Sequence, residues 1–333
     1  MPLELQSRPT ANQEAPAPLA AERSGGLVIG LINNMPDSAL EGTEAQFRGL
    51  LNSAAGERHV ILRLSSLPEV PRGSEAKARI AARYWPLEQL LDHAPDAVIV
   101  TGTEPKAAVL SDEPYWARLV ELIDYADANL ISSAWSCLAA HAAVLHLDGI
   151  ARERLEAKRF GVFEQRVREA HILTQHLGAQ IRIPHSRWNN LPLDALLASG
   201  YQVLTESAQR EADSFVKQRR SLLVFFQGHP EYEERTLLKE YQRDMGRFIS
   251  GEYPECPRAP PGYFGSDAQA LVAEFERGLR AGEFARPLAA FPFAALAASI
   301  EASWLAPAAQ IYRNWLDYIA SRKFASRGNT GRS

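Results

Sequence analysis

A chain of 333 residues, 46% hydrophobic and 23% charged, has the composition of an ordinary globular protein and length enough for one large domain or two. Its formal net charge of −4 gives no global positive field for nucleic acid or an anionic membrane, so anionic ligands must be met locally. Two distant cysteines make no disulfide framework, no charge-free run approaches a membrane span, and the N-terminus lacks a signal-peptide pattern, which together predict a cytoplasmic protein.

Residues 1–24 mix Pro, Ala, Gln and charge without a period and are expected to form a disordered arm. The run GLVIGLIN (26–33) reads as a buried strand ending in the loop Asn-Asn-Met-Pro. Segment 39–55 carries Leu40, Phe47, Leu50 and Leu51 as an amphipathic helix does; HVILRLS (59–65) is the next strand, followed by a loop rich in Pro, Gly and Ser. DAVIVTG (96–102), a helix over 115–127, and ANLISSAW (128–135) running into a helix from Cys137 continue the alternation. This pattern predicts a parallel sheet covered on both faces.

From Phe160 the pattern changes. GVFEQRV, AHILTQH, QIRIPHS, YQVLTES, DSFVKQ and SLLVFFQG are closely spaced strand-like segments, expected as antiparallel pairs appended to the same sheet. A helix over 233–249, the Pro-rich CPRAPPGYF, and two or three Ala-rich helices to about Lys323 follow. The expected organisation is a single domain over 25–323 with a helical extension from about 265, flanked by the arm (1–24) and a flexible tail (324–333).

In open parallel sheets, ligands sit beyond the carboxyl ends of the strands. Three polar clusters fall at such ends: Thr101-Gly102-Thr103, Ser136-Cys137 and Gly228-His229-Pro230-Glu231. A cysteine on the turn between strand and helix has its sulfur near unpaired N–H groups, which favour a thiolate. The Leu138 N–H, with one from the Gly102 loop, is placed to form an oxyanion hole. His229 is the expected base for the thiol, and Glu231 the group that orients its imidazole.

These residues lie in a series of spaced motifs: NNMP then TEAQF (33–47), VTG with YW (100–116), the cysteine turn, Lys158 with GVFE (161–164), PHSRW (184–188), GHPEY (228–232), Arg243 and NWL (314–316). Their order resembles the MetA-type homoserine O-acyltransferases, relatives of class I glutamine amidotransferases, over about residues 27–320. The resemblance implies an α/β fold of the class I glutamine amidotransferase-like (flavodoxin-like) kind: a mostly parallel sheet with helices on both faces, plus the C-terminal helical extension. It also implies an acyl-thioester mechanism in methionine biosynthesis. Cys137 takes an acyl group from acyl-CoA, a cosubstrate rather than a bound cofactor, and passes it to the hydroxyl of homoserine, with His229 handling the proton. Lys158, Ser186 and Arg243 match positions that bind substrate, and the family suggests a homodimer.

Departures from the family pattern bear on specificity. Between Met-Pro and Thr-Glu the family's loop carries a lysine, whereas DSALEG (37–42) has no basic residue. The position that sets the acyl donor aligns with Lys106, whose ammonium would attract a succinyl carboxylate and so favours succinyl-CoA over acetyl-CoA. Leu138 stands where the family usually has tryptophan, which keeps serine open as the acceptor, with a role in cysteine biosynthesis.

A glutaminase-type amidotransferase is the alternative from another class, although the turn Trp135-Ser136-Cys137-Leu138-Ala139 lacks that group's flanking glycines. Cys137 and His141 at i, i+4 make only half a metal site, so no metal is expected. His185 is a rival base without a carboxylate two residues on, and Cys256 in its Pro-rich stretch is expected to be exposed and inert.

Overall fold

The structure, a computed structural model, describes residues 3–8, 25–283 and 287–330. Ten strands run along the described chain: β1 (Leu3–Leu5), β2 (Leu27–Ile32), β3 (Val60–Ser65), β4 (Ala97–Val100), β5 (Ser132–Ser136), β6 (Glu153–Val167), β7 (Gln180–Asn190), β8 (Gln202–Glu206), β9 (Ala212–Gln218) and β10 (Leu222–Phe226). They form one sheet in the order β1-β3-β2-β4-β5-β10-β9-β8-β6-β7. The first six in that order pair in parallel, and the remaining pairings are antiparallel. Strands β2 to β5 and β10 are buried at every position, because helices cover both faces; the polar side chains they carry, Arg63, Ser65, Ser132, Ser133 and Ser136, are buried with the rest.

On one face pack α1 (Asp37–Ala55), Ala76 and Ile80 of α2 (Ser74–Arg83), and the long C-terminal helix α10 (Leu305–Thr330). The other face carries α3 (Leu87–Asp92), α4 (Trp116–Asn129), α5 (Leu138–Asp148) and α6 (Leu193–Ala198). A third apolar cluster joins α7 (Thr236–Ile249), α8 (Asp267–Ala281) and α9 (Phe293–Ala298) to Val162 of β6 and to Trp304. Among the described residues no helix is long and apolar enough to cross a membrane.

Several expectations are corrected. The disordered arm fails at its start: β1 extends the sheet beside β3, and the Arg63 Nε donates to Gln6 Oε1 at 2.6 Å. The remainder of the expected arm, 9–24, lies outside the described residues. The Pro-, Gly- and Ser-rich loop after β3 holds α2 and α3, and DSALEG is the opening of helix α1 rather than a loop. AHILTQH is not a strand. It folds as a 3-10 turn (Ile172–Thr174), because His171 Nδ1 accepts the Leu173 N–H at 3.2 Å and Thr174 Oγ1 accepts the His171 N–H at 2.9 Å. The tail is helical as far as Thr330, the end of α10. Cys256 is half-buried rather than exposed, packed at the margin of the third cluster.

Candidate active site

Strand β5 delivers Cys137 to a sharp turn between sheet and helix. The residue has φ 51° and ψ −111°, a conformation that L-residues rarely adopt and that costs about 1–3 kcal/mol. Two bonds hold it there: its N–H donates to the Phe226 carbonyl at 2.7 Å, and its carbonyl accepts the His141 N–H at 3.2 Å. Its sulfur therefore sits at the N-terminus of α5, beside the end of the neighbouring strand β10.

Gly102, beyond the end of β4, passes over the same helix start. A Cβ on Gly102 would lie 2.6 Å from the Leu138 Cβ and 3.0 Å from the Leu138 nitrogen, so only glycine admits this approach. The two backbone segments expected to form an oxyanion hole are thus in contact. Asn34 ties the loop after β2 to this strand end, its N–H donating to Thr101 Oγ1 at 2.8 Å. Arg72, from another segment, ties this loop to the start of α1. Its buried guanidinium donates to the Met35 and Asn33 carbonyls and to Ser66 and Asp37.

Immediately beyond β10, His229 and Glu231 face this turn. The His229 Nδ1 lies 2.8 Å from Glu231 Oε1, which leaves Nε2 available to the Cys137 sulfur. Burial alone would lower the imidazole's pKa, but the Glu231 carboxylate and the Cys137 sulfur outweigh it and hold it well above 6.5. Ser136 Oγ donates to Glu231 Oε1 at 3.4 Å. The His229 N–H donates to the Pro184 carbonyl at 2.8 Å, and the ring stacks on Tyr232 with centroids 4.4 Å apart. Sulfur, imidazole and carboxylate together make a nucleophile, a base and an orienting group.

Tyr232 links the triad to a second polar cluster. Its hydroxyl donates to Glu240 Oε1 at 2.7 Å; burial and that carboxylate hold the phenol's pKa well above 10, so it stays a donor. Ser186 Oγ donates to Glu240 Oε2, also at 2.7 Å. Lys158 Nζ lies 3.0 Å from Asp244 Oδ2, and Arg243 donates to Asp244 Oδ1 at 2.8 and 3.0 Å. The register Phe160↔Ser186 brings Lys158 on β6 and Ser186 on β7 to the same end of the hairpin, and α7 supplies the rest. Lys158, Ser186 and Arg243, expected as substrate residues, are therefore assembled in one place.

Lys106 is exposed. Its backbone N–H and that of Ala107 both donate to the buried Glu113 Oε1, at 2.6 and 2.7 Å, which shapes the loop between β4 and α4. Glu240, Asp244 and Glu113 carry no expected role from sequence, and Tyr232 enters there only as the last residue of GHPEY. The acids at i, i+4 on α7 flanking Arg243 are the one available signal.

His185 proves to have a carboxylate after all, from another strand. Its Nε2 lies 3.3 Å from Asp213 Oδ1, and its Nδ1 accepts from Arg187 Nε at 3.2 Å. Burial, with Arg187 and Arg159 beside it, lowers its pKa well below 6.5; both ring nitrogens are engaged and the ring is 1% exposed, so it cannot rival His229 as the base. His141 turns from Cys137 to Gln227, with Nε2 2.9 Å from Oε1, and burial pushes it down to about 3. It is a neutral hydrogen-bonding residue.

With this geometry in view, three comparisons bear on the chain. A family model described as homoserine O-succinyltransferase matches residues 15–325. The homoserine O-succinyltransferase of Rhodopseudomonas palustris is 44% identical over 88% of each chain. That of Methylorubrum extorquens is 44% identical over 89% of this chain and 88% of its own. Among solved structures, a glutamine amidotransferase from Thermotoga maritima superposes with a TM-score of 0.52 at 12% identity, covering 89% of this chain and 98% of that one. The last likeness concerns fold alone and agrees with the glutamine amidotransferase-like sheet described above.

Proposed function

Since the chain belongs to the homoserine O-succinyltransferase family, we propose that it is an acyl-CoA-dependent homoserine O-acyltransferase working through a thioester on Cys137. The observation that carries this reading is the convergence of Cys137, bonded through its N–H to the end of β10, with His229 just beyond that strand, itself held by Glu231. In the first half-reaction the Cys137 thiolate attacks the acyl carbonyl. The oxyanion is received by the Leu138 N–H and the Gly102 segment, the bond to the CoA sulfur breaks, and CoA leaves with a proton from His229. In the second, His229 accepts the hydroxyl proton of homoserine as its oxygen attacks the thioester, the bond to Cys137 breaks, and the ester departs.

The cluster around Glu240 suits the acceptor. A free amino acid presents an ammonium, for which Glu240 is a partner, and a carboxylate, for which Arg243 and Lys158 are partners. Both cations rest on Asp244 here, so the acceptor carboxylate would compete with Asp244 for them. Acylating the hydroxyl turns a poor leaving group into a good one, the chemistry that a later sulfur displacement towards methionine requires.

The deciding experiment is an assay matrix of succinyl-CoA and acetyl-CoA against homoserine and serine, read as free CoA and O-acyl amino acid. Succinyl transfer to homoserine is expected. Ester formed only on serine would move the protein to cysteine synthesis; no ester, with ammonia released from glutamine, would make it an amidotransferase.

A further inference from the structure

The cations around the site are mostly neutralised. Lys158 and Arg243 rest on Asp244 and Glu240, and Arg159 and Arg187 both lie against Glu211. Arg152 differs. It is half-buried, yet its side chain makes neither a hydrogen bond nor an ion pair among the described residues.

Its position follows from strand register. Arg152 immediately precedes β6, whose first residue Glu153 pairs with Asn190 on β7. The Asn190 Oδ1 accepts from Gln227 Nε2 at 3.2 Å, and Gln227 stands two residues before His229. Arg152 therefore lies at the catalytic end of the sheet, where its charge acts on Cys137, Glu113, Tyr115 and His141. Glu113, the one of these that carries a carboxylate, already accepts two backbone amides. A guanidinium that has lost part of its hydration without gaining a partner is unfavourable unless something else brings the anion.

We propose that Arg152 binds the distal carboxylate of a dicarboxylic acyl group, of which succinyl is the smallest fit to the family, while that group is transferred to Cys137. This rests on the acyl-transfer reading above and names its donor class. The planar guanidinium pairs with a carboxylate through two parallel hydrogen bonds, whereas an acetyl group offers it nothing. Lys106, exposed on a flexible four-carbon stem, is the weaker anchor, because more side-chain freedom is lost on ordering it.

The test uses the full chain and single-turnover acylation of Cys137 by succinyl-CoA or acetyl-CoA, followed by intact mass. Arg152→Ala should slow acylation by succinyl-CoA about 30-fold or more, the low end for truncating one partner of a desolvated charge pair. With acetyl-CoA the loss should stay below about threefold, since that donor lacks the partner. Arg152→Lys should recover part of the succinyl rate, and Lys106→Ala should change the donor ratio little. If the alanine variant unfolds, Arg152→Gln carries the same comparison.

Equal losses with both donors would assign Arg152 to the CoA phosphates or the thiolate and overturn the proposal. So would no loss at all, or a succinyl-selective loss in Lys106→Ala instead. Wild-type protein that accepts acetyl but not succinyl would leave acyl transfer standing and overturn the donor assignment. Wild-type protein acylated by neither donor would overturn the acyl-transfer reading itself.

Discussion

The Asp213 carboxylate accepts the backbone N–H of Gly228 at 3.2 Å, so a side chain from β9 holds the peptide immediately before His229. The approach is close: a Cβ on Gly228 would lie 2.6 Å from Asp213 Oδ1 and 2.6 Å from Ile183 Cγ2. Gly228→Ala must push these apart, at about 1–3 kcal/mol for overpacking. Asp213→Ala leaves the buried Gly228 N–H without its acceptor, costing about 1–3 kcal/mol. Both variants should lose kcat more than they raise KM, because His229 is mis-aimed while substrate residues stay put. Unchanged kcat in a folded Asp213→Ala protein would show that this carboxylate does not position the histidine.

The strained turn at Cys137 gives a stability prediction separable from catalysis. Cys137→Ala and Cys137→Gly both remove the nucleophile and should abolish turnover, with Cys256→Ala nearly silent. Glycine tolerates the positive φ of 51° that alanine does not, so Cys137→Gly should be the more stable of the two by on the order of 1 kcal/mol. Denaturant midpoints measure this. The opposite order would mean the backbone relaxes once the sulfur is gone.

The raised pKa of His229 fixes the sign of a pH effect. Its folded-state value exceeds the ordinary one, so the stabilisation is full below about pH 6.5 and lost as pH rises through the folded value. Glu231→Gln removes the carboxylate chiefly responsible. The variant's Tm deficit should therefore be larger near neutrality than in the alkaline range, and the imidazole should titrate lower by NMR. A deficit independent of pH would detach Glu231 from the imidazolium.

Glu240 is assigned to the acceptor side. Glu240→Gln should raise KM for the amino-acid acceptor about tenfold or more, as expected when a charged contact is lost. The burst of CoA from the first half-reaction should be preserved. Loss of the burst would mean that Glu240 acts through Tyr232 on His229 rather than on the acceptor.

The triad was legible because its members stand at strand ends separated by short, punctuated sequence: a cysteine directly after β5, and His229 and Glu231 directly after β10. The parallel half of the sheet was legible for a related reason, since β2, β4 and β10, buried on both faces, read as unbroken apolar runs. Asp213 and Arg152 were not, because their meaning arises from strand pairing across long sequence separations. The strand expected at 170–176 failed because local capping by His171 and Thr174 competes with the ladder, and Asn314 of α10 then secures the Leu173 and Gln175 carbonyls at 3.0 and 2.7 Å. β1 was missed because three residues carry too little pattern to outweigh the composition around them.

In the proposed mechanism an acyl group rests on Cys137 between donor and acceptor. Incubating the protein with succinyl-CoA and no acceptor, then mapping peptides by mass, tests it most directly. A succinyl adduct is expected on the peptide containing Cys137, absent from Cys137→Ala, that disappears on adding homoserine as O-succinylhomoserine forms in equal amount. Normal turnover with no adduct at any pH, or an adduct that homoserine does not discharge, would contradict it.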